Sequence, residues 1–133
     1  MKFSPPTEEQ EKFLDDQMDA AFYFADDYFP DWKGDELTPE ILDKIFIEWL
    51  KNPKDYSDQE MVSSLGAAFG EYMVVHLDME WQVIKDDYGT ALGVHRTEPE
   101  WTGYPFDSIQ KRVDSKETDF LVTIFDMAKL AVT

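Results

Sequence analysis

Residues 79–96 read MEWQVIKDDYGTALGVHR, and how this stretch folds decides the class of the whole chain. Tryptophan, valine, isoleucine and threonine flank Asp86-Asp87-Tyr88-Gly89, the pattern of two strands joined by a tight turn. A three-residue loop with Gly89 in the left-handed position closes them as a hairpin with a glycine bulge. In that register Ile84 faces Leu92, Val83 faces Gly93 and Trp81 faces His95. Alternation then puts Ile84, Leu92 and Val94 on one face, with Glu80 and Arg96 paired across it. Trp81, Val83, Ala91, Gly93 and His95 take the other face, and a slip of one residue would exchange the two sets. A lone hairpin is marginal in water, so a third strand is expected in TEPEWTGY, residues 97–104.

Outward from the hairpin, the chain reads as helices. Thr7 with Gln10 three residues later is a capping box, followed by an apolar stripe of Leu14, Met18, Phe22 or Ala21, Ala25 and Phe29 that Pro30 ends. Thr38-Pro39 starts a second helix, with Leu42, Ile45, Phe46, Trp49 and Leu50 inward and Asn52-Pro53 at its end. Ser57 and Glu60 form another capping box for a third helix carrying Met61, Leu65, Phe69 and Met73 on one line. Gly66 and Gly70 inside it each cost about 1 kcal/mol relative to alanine, and close packing against a helix or the hairpin would offset that. Downstream, PFDSIQKRVDS is a short helix with Ile109 and Val113 inward. ETDFLVTIFDMAKLAV is a final one with Phe120, Ile124, Met127 or Ala128, and Ala131 on one side. The expectation is one α+β domain over residues 1–133: helix-rich, with a small antiparallel sheet packed on helices.

At 133 residues the chain is long enough to bury roughly two thirds of its unfolded surface. Ten Phe, six Tyr and four Trp make that core ring-rich, each buried ring removing ~150–250 Å² from water. Against 12 basic residues stand 29 acidic ones, a net charge of −17, and the excess is heaviest in residues 1–60, with 17 acidic and 6 basic side chains. Such a surface repels nucleic-acid phosphates and anionic lipid. It serves solubility, and it also attracts proteins with a basic surface. With no cysteine, disulfides and thiolate chemistry are excluded, which fits a cytoplasmic setting. The opening MKFSPPTEEQ has no apolar run, so no secretory signal is expected there, and no stretch approaches the ~20 apolar residues of a membrane span.

The order SLGAAFGEYM, MEWQVI, DDYGTALGV, PFDSIQKRVDS, over about residues 60–130, resembles a bacterial family of small domains catalogued as domain of unknown function 3806. The resemblance implies a compact α+β bacterial domain and carries no functional residues with it.

Chemical motifs are sparse. His76 and His95 are 19 residues apart, without the helical spacing of a metal pair, and no G-x-S-x-G elbow or glycine-rich phosphate loop occurs. At the end of the third helix His76 suits the negative end of the dipole. The run DDYFPDWKGDE holds five carboxylates but lacks the spacing of a calcium loop and reads as a solvated segment. Neither a cofactor nor a metal is expected. The candidate binding residues are Trp81, Tyr88, His95 and Trp101, read as an aromatic patch ringed by acids, since tryptophan and tyrosine dominate binding hot spots. Opposed to that is a Trp81 turned into the core. The leading expectation is a non-catalytic protein-binding module, monomeric or a weak homodimer, that covers a basic partner such as a toxin. The alternatives are a hydrolase-like site of carboxylates and a histidine near His95, or an assembly domain dimerising through the glycine face of the third helix.

Overall fold

The computed structural model describes residues 1–133. Its elements run β1 (Lys2–Ser4), α1 (Glu8–Tyr28), α2 (Pro39–Lys51), α3 (Asp58–His76), β2 (Glu80–Asp86), β3 (Gly89–Thr97), β4 (Glu100–Gly103), α4 (Pro105–Ser115) and α5 (Leu121–Val132). The four strands form one antiparallel sheet in the order β1-β2-β3-β4, so the chain is a helix-rich α+β fold. No helix is long and apolar enough to cross a membrane.

Local chemistry sets the helix starts. Thr7 Oγ1 accepts from the Gln10 amide at 3.1 Å while Gln10 Oε1 accepts from the Thr7 amide at 2.9 Å. Ser57 and Glu60 repeat the reciprocal pair at 3.1 Å in both directions, and Thr38 caps α2 through the Ile41 amide. Each such cap contributes about 1 kcal/mol. α3 is the central element, with α1, α2 and α4 packed on it and β2 and β3 reaching it. It is buried continuously from Met61 to Gly70, so its residues meet neighbours on every side. The glycines supply the closest approaches. Gly66 lies under the ring of Phe106 from α4, and Gly70 lies under the indole of Trp81 from β2.

The hairpin register differs by one residue from the sequence-based expectation. Asp86 Oδ1 accepts from both the Tyr88 amide (2.8 Å) and the Gly89 amide (3.1 Å). That side chain satisfies the turn by itself, the loop shrinks to Asp87-Tyr88, and Gly89 pairs with Asp86 instead of bulging. Ile84 therefore faces Ala91, Gln82 faces Gly93, Trp81 faces Val94 and Glu80 faces His95. The helix-facing side carries Trp81, Val94, Trp101 and Gly103, and the outer side carries Ile84, Gly93, His95 and Thr102. Arg96 does not pair with Glu80; its guanidinium donates to the carbonyls of Leu77 (2.6 Å), Glu98 (2.9 Å) and Pro99 (3.1 Å). The third strand lies at Glu100–Gly103, within the stretch expected for it, and β1 adds a fourth through Phe3 opposite Ile84. Three residues are too few to show an alternation in sequence.

The last helix keeps most of its expected face: Phe120 and Ala128 are buried and Ile124 packs on the core, with Ala128 inward and Met127 65% exposed. Leu121 and Val132 are buried as well, and Ala131, expected inward, is exposed. The start of this helix is held from α2: Asp43 accepts from the Leu121 amide at 2.9 Å (Oδ1) and the Val122 amide at 3.1 Å (Oδ2), fixing where α5 begins. Just upstream, α4 stops at Lys116, a non-glycine residue at φ 60°. Left-handed backbone costs an L-residue roughly 1–2 kcal/mol, part of which glycine returns as unfolded-state entropy. Lys116→Gly is accordingly expected to stabilise the fold by about 0.5–1 kcal/mol, read as an increased urea midpoint with an unchanged slope.

Candidate functional site

The four residues singled out from sequence do not share one surface. Trp81 is half-buried on the helix-facing side of the sheet, over Gly70, with its Nε1 donating to Glu71 Oε2 at 3.2 Å. Trp101 lies on the same side, folded over Gly103. His95 points to the opposite side, where it is 8% exposed, stacked on Phe3 at 4.0 Å and bonded through Nδ1 to Thr102 Oγ1 at 2.9 Å. Tyr88, 99% exposed, stands alone at the hairpin tip. The one-residue change of register separates Trp81 from the histidine, while the β3–β4 pairing, with Arg96 opposite Trp101, keeps Trp101 on the face away from His95.

A polar cleft of ≈ 210 Å³ does adjoin His95, lined by Asp78, Glu80, Arg96, Thr97 and Glu98. Its only cation, Arg96, is committed to three backbone carbonyls. The histidine beside it is held between Phe3 and Thr102. That arrangement commits Arg96 to the backbone around the β3–β4 turn.

The other histidine sits in a richer setting. His76, in the last turn of α3, bonds through Nε2 to Glu36 Oε2 at 2.6 Å and packs on Tyr72, one turn earlier, at 4.1 Å. Tyr72 in turn meets Phe125 of α5 edge-on, 5.0 Å between ring centroids at 90°. Two clefts meet along this line. One, ≈ 290 Å³, lies between α2, α3 and α5 and includes Glu40, Tyr72, His76, Phe125, Asp126 and Lys129. The other, ≈ 240 Å³, lies between α1, α3 and the α1–α2 loop and includes Phe22, Asp35, Glu36, Glu71, Tyr72 and Val75. Tyr72 lines both, and the His76–Glu36 pair forms the ridge between them. The result is one acidic groove with an aromatic floor.

Electrostatics along the groove are one-sided. Asp35, Glu36, Glu71, Glu40 and Asp126 supply carboxylates, and Lys129 is the sole lysine or arginine among the lining residues. The Tyr72 hydroxyl registers this field: burial raises its pKa first, and Glu36 and Glu40 raise it further. A second acid–aromatic knot ties the far end of α1. Tyr56 donates to Asp27 at 2.7 Å, which lowers the Asp27 pKa, and Lys54 lies 4.6 Å over the Tyr28 ring. This knot is packed into the α2–α3 loop, and the cleft of ≈ 310 Å³ that borders it at Tyr28 has a single carboxylate, Asp31, in its lining beside Lys44. The carboxylates of the DDYFPDWKGDE run are thus divided: Asp27 joins the knot while Asp35 and Glu36 line the groove. No group of three or more histidine, aspartate or glutamate side chains is arranged to hold a metal ion.

Sequence reasoning missed this groove. The Tyr72-to-His76 spacing of four was visible, but Phe125 reaches the site only through the phase of α5, and Glu36 only through the path of the α1–α2 loop.

By architecture and surface, then, this is a small α+β domain whose distinguishing feature is an acidic, aromatic-floored groove. The profile of a family described as Domain of unknown function (DUF3806) matches residues 40–125, and the chain belongs to that family. The match takes in α2 as well as the α3-to-α5 region. No curated protein and no solved structure matches the chain.

Proposed function

We propose that this domain is a non-catalytic binding module for a basic protein segment, which it receives in the groove along Tyr72. The observation that supports it is the composition of the two joined clefts: five carboxylates and an aromatic floor against one lysine. The rest of the surface works in the same direction. α1 has a single base, Lys12, and that lysine is already paired with Asp16 at 2.8 Å. A net charge of −17 accelerates encounter with a cationic partner, and the groove gives the encounter a place to end. Aromatic rings flanked by acids are the surface on which arginine- and lysine-rich segments bind through both charge and stacking.

The test uses twelve-residue peptides rich in arginine and lysine, compared with neutral ones of equal length, titrated into the isotopically labelled full chain. Amide shifts are expected to concentrate at Glu36, Glu40, Tyr72 and His76, with affinity falling as salt rises. Replacing Glu36 and Glu40 together by glutamine is expected to weaken binding by about 3–10-fold, as two partly exposed charges each contribute up to ~1 kcal/mol. Binding that ignores salt, or shifts that map to another face, would overturn the proposal.

A further inference from the structure

The larger of the two clefts has the makings of a specific subsite. Tyr72 and Phe125 meet at 90° and form a corner, so a flat group entering it stacks on one ring and meets the edge of the other. His76, packed on Tyr72 at 4.1 Å, extends the aromatic wall, and Glu36 occupies its Nε2. Glu40 from the first turn of α2 and Asp126 from α5 bring carboxylates to the same cavity. Its volume of ≈ 290 Å³ lies just below the about 300–1,000 Å³ usual for small-molecule sites, a size suited to one side chain.

We infer that this cleft is an arginine pocket: it takes the guanidinium of one arginine from the basic segment, stacked in the Tyr72–Phe125 corner and forked toward Glu40 and Asp126. The inference rests on the groove reading above and names the residue that the groove would select. Guanidinium fits better than ammonium for three reasons. It is planar and stacks on rings, it is more weakly hydrated and so is cheaper to bring into a half-enclosed site, and its fork addresses two carboxylates at once. Lysine offers a point charge without the flat face. Lys129 lines the same cleft and makes no ion pair within the chain. It therefore acts as a resident competitor that lowers affinity for any incoming cation.

The experiment titrates N-acetyl-arginine amide into the 133-residue chain and follows the ring signals of Tyr72, His76 and Phe125. N-acetyl-citrulline amide, the uncharged isostere, and N-acetyl-lysine amide serve as comparisons. The arginine probe is expected to shift these rings at millimolar concentration and at least fivefold more tightly than either comparison. Lys129→Gln, a change at an exposed position, is expected to tighten arginine binding by 2–4-fold. The inference fails if citrulline binds as well as arginine, if the rings do not respond, or if Lys129→Gln weakens binding, since the lysine would then be supporting the site instead of competing for it. Arginine binding here without binding of the basic peptides would sink the groove proposal and leave the pocket standing. Peptide binding in the groove with silent rings at this corner would do the reverse.

Discussion

Asp43→Ala is expected to destabilise the domain by about 2–4 kcal/mol, the loss of a buried cap whose two backbone donors are left without their acceptor. For a chain of this length that is a fall in melting temperature on the order of 10 °C. The physical reason is an unusual division of labour. α5 begins at Phe120-Leu121 with no capping side chain of its own, so its first amides are satisfied from α2, by a carboxylate only 4% exposed. Losing Asp43 frees the start of α5, and with it Phe125 and one wall of the groove.

The pH dependence of this variant carries its own sign. Burial raises the Asp43 pKa above its ordinary 3.8, an effect that the amides of Leu121, Val122 and Phe120 oppose and Asp119 reinforces. A carboxyl whose native pKa is raised holds its proton more tightly folded than unfolded. Its contribution is therefore greatest at acid pH and declines as pH climbs through the raised native value. The stability gap between wild type and Asp43→Ala should narrow over that window, measured by urea unfolding at a series of pH values. A gap that widens with pH would mean that the amides outweigh burial.

What was legible in the sequence was local. Thr7 with Gln10 and Ser57 with Glu60 are chemistry contained within three residues, and all four side chains bond as their spacing implies. The inward residues of α2 follow the helical period, and Met61, Leu65, Phe69 and Met73 of α3 are buried as their spacing implies, though α3 is buried on its other sides too from Met61 to Gly70. The glycines at 66 and 70 announced a close neighbour without saying which. Asp43 shows where such reasoning stops: its partners lie 78 and 79 residues away, and nothing near it in sequence marks it for burial. The hairpin shows another kind of limit. One aspartate side chain chose between a two-residue and a three-residue loop, and every side chain from Trp81 to His95 changed neighbours with that choice. The groove compounds both limits, because it is assembled from the α1–α2 loop, the end of α3 and the phase of α5.

Gly70 offers the sharpest test of how α3 holds the sheet, because the sign of its effect should depend on a second residue. A Cβ at Gly70 would lie 2.2 Å from Cη2 and 2.3 Å from Cζ2 of Trp81, far inside contact distance. The indole has little room to retreat. It is tilted against Phe106 at 5.8 Å and tethered to Glu71 through Nε1, and Phe106 in turn covers Gly66. Overpacking of this kind costs roughly 1–3 kcal/mol, more than the ~1 kcal/mol that alanine returns in helix propensity. Gly70→Ala is therefore expected to destabilise the wild type by up to about 2 kcal/mol. Trp81→Ala alone should cost about 3 kcal/mol, toward the low end for a large aromatic because the ring is only half-buried. Made in the Trp81→Ala background, however, Gly70→Ala is relieved of the indole and meets only Pro105 Cγ, at 3.1 Å, so it should be near neutral or stabilise by up to ~1 kcal/mol through propensity. The double-mutant cycle would then show a coupling of about 2 kcal/mol, in the range of residues in direct contact. If Gly70→Ala destabilises equally in both backgrounds, the glycine is required by something other than the indole, and the α3–β2 junction is held differently from the packing described.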